Sequence, residues 1–408
     1  MTGGPAGSDR PGASVSSTRA ISAAILATLV SVLPAFLLGG VAVQVRGDLG
    51  FSESRLGLLV TVFFALSALG STPAGRLTER LGTQRTMVLV GAVAALALAT
   101  IAASPTWAWL LVGMVVAAFA NAAAQPASNL SLARGIDPGR QGFAFGLKQS
   151  AVPMTSLLGG LAVPVFALTL GWRWAFVAAA VLSLTLIPLA PPIGGRPVER
   201  GRPLVVPSLR PGARRVLLVL AAGAFFANFA SNSLGVFLVE SLVDRGTAEG
   251  LAGIVLMSGS MVGVLARVAL GWWADRSFRP LFFAAASILM VAGGVGYLLL
   301  ATGSTLLTAP AIVLVFGAGW GWNGLFSYSV VAANREAPAA ATGITQSGLF
   351  AGAMAGPGTF GIVAERLGFD LGWAMLGTSL LIASLLMFLG SRLVAALPPN
   401  EDGQVVRS

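Results

Sequence analysis

Apolar residues run through this chain in long unbroken stretches, without the short alternation that marks a half-wet strand. Twelve stretches stand near residues 20 to 44, 54 to 76, 86 to 103, 107 to 133, 142 to 170, 172 to 190, 214 to 240, 248 to 274, 281 to 301, 304 to 333, 340 to 366 and 371 to 395. A helix rising about 1.5 Å per residue needs about 20 apolar residues to cross a hydrocarbon layer about 30 Å thick, and each stretch is long enough or nearly so. They are rich in Ala, Leu, Val and Gly, so the pattern predicts twelve transmembrane helices that satisfy their own backbone groups in lipid, and argues against a membrane β-barrel. The expected fold class is an all-α membrane protein. Residues 1 to 19 read as a polar Gly/Ser-rich tail, and the apolar run behind them is too long for a cleavable signal core, so it is taken as the first span.

Residues 191 to 213 interrupt the apolar pattern with Pro191, Pro192, Pro197, Pro203, Pro207 and Pro211 set among arginines. That composition describes a solvated linker. The expected organisation is a six-helix bundle over 20 to 190, the linker over 191 to 213, a second bundle over 214 to 395 and a tail over 396 to 408.

Composition narrows the chemistry. Only 10% of residues are charged against 56% hydrophobic, where soluble chains carry about 25% charged, and this excludes an ordinary soluble enzyme. Cys and His are both absent, which removes disulfides, thiol nucleophiles, imidazole bases and the usual ligands of zinc and haem, so neither catalysis nor a metal or other cofactor is expected. The net charge of +10 sits in short loops between spans and marks a membrane topology, with no nucleic-acid partner. Twenty of the 25 Lys and Arg fall on one side, leaving Arg46, Arg55, Arg173, Arg245 and Arg366 on the other. The positive-inside rule then places both termini in the cytoplasm, in a cell inner (cytoplasmic) membrane.

The two halves repeat each other. GRLTER at Gly75 to Arg80 returns as GWWADR at Gly271 to Arg276, 196 residues on, and GLKQS at Gly146 to Ser150 returns as GITQS at Gly343 to Ser347, 197 residues on. Both matches fall in equivalent spans, as expected for two bundles related by a pseudo-twofold along the membrane normal.

On these residues the chain resembles the major facilitator superfamily of secondary transporters. Gly75, Leu77, Glu79, Arg80, Gly82 and Arg85 follow the second span in the pattern of that family's inner loop signature, with a weaker copy in Gly271, Asp275, Arg276 and Arg279. The chain departs from the signature in having Glu at 79 and Thr83 and Gln84 where basic residues usually stand. A Gly that admits a close helix approach, beside an acid and an Arg at a helix end, makes a conformational latch whose charge-assisted bond exists in one arrangement of the helices and breaks in another. The plainer alternative is that these arginines only fix topology.

The resemblance implies a central cavity lined by spans 1, 4, 7 and 10. The residues agree: Asn121, Gln125, Ser128 and Asn129 share a face of span 4, Asn228, Ser231 and Asn232 lie on span 7, and Trp320, Trp322, Asn323 and Ser327 on span 10. Amides near the bilayer midplane are costly unless they pair across helices or face water. Each therefore points inward, as helix glue or as a substrate contact. Trp320, three residues from Asn323 and on its face, is preferred over Trp322 as a pocket residue.

Two cations lie about 10 Å deep, Lys148 in span 5 and Arg267 in span 8. Either could snorkel to the interface, but neither recurs in the repeat, where Lys148 aligns with Thr345 and Arg267 with Ser71. Gln149 and Gln346, the glutamines of the repeated GLKQS and GITQS, join them as candidates. Arg267 stands in GVLARVALGWWADR, a stretch similar to the eighth span of the oxalate/formate and monocarboxylate branches, and that likeness implies an anionic substrate at this Arg. None of the 15 acids lies near the middle of a span, and span 4 has no Arg in WLLVGMVVAAFANAAAQP; since drug/proton antiporters of that superfamily usually need one or the other, the resemblance implies that ordinary drug/proton antiport is disfavoured. A weak organic acid can itself carry the proton, which makes a proton the candidate coupling ion. The expected function is therefore secondary transport of a small organic anion such as a monocarboxylate by a monomer embedded in the lipid bilayer. The alternative is export of drugs or amphipathic metabolites, kept open by Gly348, Gly352, Gly356, Pro357 and Gly361 in span 11, whose spacing also suits plain helix packing.

Overall fold

The computed structural model describes residues 11–136, 141–191, 209–277, 282–334 and 337–397. Every regular element among them is helical. Twelve helices have the length and apolarity of membrane spans: Ser17–Gly40, Glu53–Leu81, Thr83–Ala102, Trp107–Leu132, Gly146–Ala167, Trp172–Leu189, Ala213–Asp244, Glu249–Ala274, Phe283–Ala301, Thr305–Ala333, Ala340–Leu367 and Phe369–Ala395, here spans 1 to 12. Most of the proposed linker and both extreme tails lie outside the described residues.

Boundaries shift where backbone geometry intervenes. Span 1 stops at Gly40 and a separate short helix, Ala42–Leu49, carries the chain across to span 2. Span 2 runs on through the loop signature to Leu81, and the chain turns at Gly82, whose φ of +83° is a conformation that only glycine adopts cheaply. Spans 5 and 10 are broken. Span 5 joins Gln141–Gln149 to Ala151–Ala162 and then to a π-helical turn at Val163–Ala167, and span 10 has a similar turn at Leu314–Ala318 between Thr305–Val313 and Trp322–Ala333. Such wide turns inside a helix gather at functional places.

Spans 1 to 6 and 7 to 12 form two lobes that meet where span 2 packs on span 11, span 5 on span 8 and span 1 on span 7. The first two contacts are equivalents under the internal repeat, and the third lies on its axis. Glycine makes the approach possible: a Cβ at Gly57 would strike the Pro357 carbonyl, one at Gly39 the Val236 backbone, and one at Gly160 the backbone of Gly253 and Met257. Lipid offers no hydrophobic drive for joining helices, so such close backbone packing takes its place.

One end of this seam is also tied by polar groups. Arg46 bridges Glu53 of its own lobe at 2.9 Å and pairs across the seam with the buried Glu240. The Gln44 amide donates to Glu249 at 2.7 Å, the Ser54 N–H to Glu365 at 3.0 Å and the Thr61 hydroxyl to the Met354 carbonyl at 2.8 Å. At the opposite end, Gly146 and its repeat partner Gly343 stand beside open space. The lobes are thus fastened at the Arg46 end. Replacing Gly57 with Val is expected to hold that end apart. A cysteine at Val236, 1% exposed in the native seam, should then react with a water-soluble maleimide in the Gly57→Val background and stay protected without it.

Candidate functional site

The broken start of span 5 sets the first cation. Lys148, 2% exposed, lies just before the break and reaches span 4, where its ammonium donates to Gln125 Oε1 at 2.6 Å and Asn129 Oδ1 at 2.7 Å. Those two acceptors are four residues apart, one above the other on a helix face, which is why both meet one ammonium. Both are neutral.

The second cation sits across the seam. Half-buried Arg267 on span 8 donates from Nε to the Trp320 carbonyl at 3.1 Å and from Nη1 to the Gln149 carbonyl at 2.8 Å, the residue beside Lys148. Its guanidinium carbon lies 5.8 Å from the centre of the Trp320 ring. Trp320 is held in turn: its indole N–H donates to the Ser231 carbonyl at 3.1 Å, and its ring packs edge-on against Phe36 of the other lobe at 6.0 Å. One cation is therefore the chain neighbour of Gln149, and the other is bonded to the Gln149 carbonyl from the opposite lobe. Among the described residues the ion pairs all lie at the Arg46 end, and no carboxylate pairs with Lys148 or Arg267.

The other candidates distribute around this point. Asn121 is buried and accepts from the Ser31 hydroxyl at 3.2 Å, joining spans 4 and 1. The Asn228 amide donates to the Leu349 carbonyl on span 11 at 2.7 Å, and Asn232 donates one turn back to the Asn228 carbonyl at 3.0 Å. Asn121 and Asn228 thus fasten helices within their lobes, while Asn232 bonds within its own helix. Gln149, Asn323 and Gln346 are partly exposed. Trp322 is as buried as Trp320, lies tilted against Phe326 with ring centroids 5.7 Å apart, and keeps an indole N–H with no partner among the described residues. In the loop signature, Glu79, Arg80 and Arg85 are exposed at the end opposite Arg46, and Gly75 faces Pro126. In the second copy Gly271 and Arg276 are exposed, Arg276 lies over the Trp272 ring at 4.0 Å, and the Asp275 side chain falls outside the described residues.

Two features of the site escape a reading of side-chain types. One is the Gln149 backbone carbonyl, which takes part where the Gln149 amide was expected. The other is the Arg46–Glu240 pair, legible only as two end-of-span residues 194 positions apart.

The model of the Major Facilitator Superfamily matches residues 24–357. The chain belongs to this superfamily. An MFS-type efflux pump of Mycolicibacterium smegmatis is 27% identical over 283 residues, covering 65% of this chain and 65% of the pump. Polyol transporter 5 of Arabidopsis thaliana is 28% identical over 173 residues, covering 41% of this chain and 32% of that protein. An uncharacterised MFS-type transporter of Mycobacterium tuberculosis is 25% identical over 363 residues, 86% of this chain and 77% of that one. The chain thus spans 65% of the pump's length and 32% of the polyol transporter's. Among solved structures, a bacterial homologue of the human lysosomal transporter Spinster, in an inward-facing and unoccupied conformation, superposes with a TM-score of 0.73 at 17% identity, covering 95% of this chain and 99% of that one. The human organic anion transporter MFSD10 superposes with a TM-score of 0.66 at 17% identity, over 91% and 99% of the two chains. Membership and fold give this superfamily chain the architecture of a multi-pass membrane protein built from two pseudo-symmetric bundles.

Proposed function

We propose that the cargo is a small organic anion, such as a monocarboxylate, bound between Lys148 and Arg267 at the seam of the lobes. One observation carries this reading: two cations, Lys148 and the Arg267 that bonds to the carbonyl of its neighbour Gln149, are solvated by amide and carbonyl oxygens, and among the described residues no carboxylate pairs with either. A charge held in a low-dielectric interior costs several kcal/mol unless an opposite charge joins it. Both cations keep spare donors, one N–H on Lys148 and the far nitrogen of Arg267, and a carboxylate of the cargo supplies the missing charge. The fastened Arg46 end closes the route on one side, and the positive-inside rule assigns the opposite, arginine-rich end to the cytoplasm of an inner membrane. The two lobes then rock about the cargo, with Glu79, Arg80 and Arg85 engaging as a latch in the alternate arrangement. A weak acid travels with its own proton, consistent with the lack of a mid-span acid.

A second reading, export of amphipathic molecules, is favoured by the likeness to the efflux pump. Purified protein in liposomes separates the two when flux of a panel of radiolabelled monocarboxylates and of a lipophilic cationic dye is followed with and without a pH gradient. Saturable carboxylate flux driven by the gradient supports the anion reading. Dye flux with no carboxylate flux replaces it with export.

A further inference from the structure

Span 5 breaks next to the site for a reason written in its sequence. Proline has no N–H, so a proline at position i leaves the carbonyl of residue i−4 without its helical donor. Pro153 is four residues beyond Gln149, and the Gln149 carbonyl is the acceptor that Arg267 Nη1 reaches at 2.8 Å from the other lobe. Pro34, Pro73, Pro126, Pro310 and Pro357 also stand inside spans. Among the described residues, Gln149 is the carbonyl freed by proline that receives a side chain across the seam. The bond is also the cross-lobe tie farthest from the Arg46 end, since the other polar ties run through residues 44, 46, 54 and 61 of the first lobe.

We infer that Pro153 is a positioning residue for Arg267: by emptying the Gln149 carbonyl it gives the guanidinium an acceptor in the opposite lobe, and the resulting tie is one of the bonds that favour the arrangement seen here, in which the Arg46 end is closed. Arg267 Nε meanwhile stays on Trp320 of its own lobe, so the guanidinium straddles the seam and the Gln149 bond is the half that breaks when the lobes part. A carbonyl already served by its own helix is a poorer acceptor for a second donor, so restoring an N–H at position 153 weakens the tie without touching Arg267. This goes beyond the cargo reading and stands whether or not the cargo is an anion.

The experiment follows the distance between lobes. The chain has no cysteine, so A108C and L306C, exposed positions at the Arg46 end of different lobes, take two spin labels in the full-length protein in liposomes. Double electron–electron resonance then reads the populations. Pro153→Ala and Pro153→Val are each expected to raise the ratio of long to short distances roughly threefold to tenfold, the scale of one ordinary hydrogen bond, because the tie is weakened and not removed. The decisive arm is the same pair of changes in an Arg267→Gln background, where no further rise is expected because the tie is already gone. A mere straightening of span 5 would act equally in both backgrounds, and that result overturns the inference, as does an unchanged ratio when Pro153 alone is replaced. Monodisperse elution of each variant at the native volume establishes that a folded protein is being compared.

Discussion

Arg267→Gln is expected to lower carboxylate flux at least roughly a hundredfold, and Lys148→Gln roughly tenfold. Hydrogen bonds to charged groups contribute about 1.5–3 kcal/mol each, and an Arg offers a carboxylate two of them in a fixed fork, so losing the pair removes about 3–4 kcal/mol of binding. Lys148 is a point charge already shared between Gln125 and Asn129, and its loss costs less. Arg267→Lys keeps the charge and loses the fork, so its flux falls between wild type and Arg267→Gln. Initial rates in liposomes, taken over a range of carboxylate concentrations, read this directly. The anion reading is abandoned if Arg267→Gln retains half of the wild-type carboxylate flux, or if it loses dye export instead.

The second large effect lies at the fastened end. Removing one member of a buried ion pair strands the other and costs about 3–5 kcal/mol. Arg46→Ala strands Glu240, whose side chain is only 6% exposed, whereas Glu240→Gln leaves Arg46 its bond to Glu53. The cost falls on one arrangement of the lobes and not on the fold, so Arg46→Ala is expected to open this end strongly and Glu240→Gln weakly. The cysteine at Val236 reports it: rapid maleimide labelling in Arg46→Ala, slow labelling in Glu240→Gln, and partial protection regained in the exchanged pair Arg46→Glu with Glu240→Arg. Equal protection in Arg46→Ala and wild type would mean that the glycine contacts alone seal the seam.

The membrane made much of the fold readable. Lipid demands long apolar helices, so twelve spans and the two-lobed repeat stand in the sequence, and the loop signature named the superfamily that the family match then established. Deep cations were legible for the same reason: Lys148 and Arg267 stood out because so little else in the spans is charged. Their partners were not. Arg267 bonds to carbonyls, and every residue has a carbonyl, so no residue type announces which one is used. Pro153 is a visible clue that Gln149 lacks a donor, yet which side chain supplies one depends on how two lobes meet. The same holds for Gly57 against Pro357 and for Arg46 with Glu240, contacts between residues far apart in the chain. Asn121 and Asn228 were recognisable as inward-facing; that each grips a neighbouring helix at Ser31 or Leu349 is a tertiary fact.

Where Gly160 lies against Gly253, backbone meets backbone, and the Val163 side chain is seated in the space that Gly253 leaves. A joint with so few teeth has little to unmesh when it turns. Under the proposed rocking of the lobes, most of the work of switching then falls on the few polar fasteners along the seam.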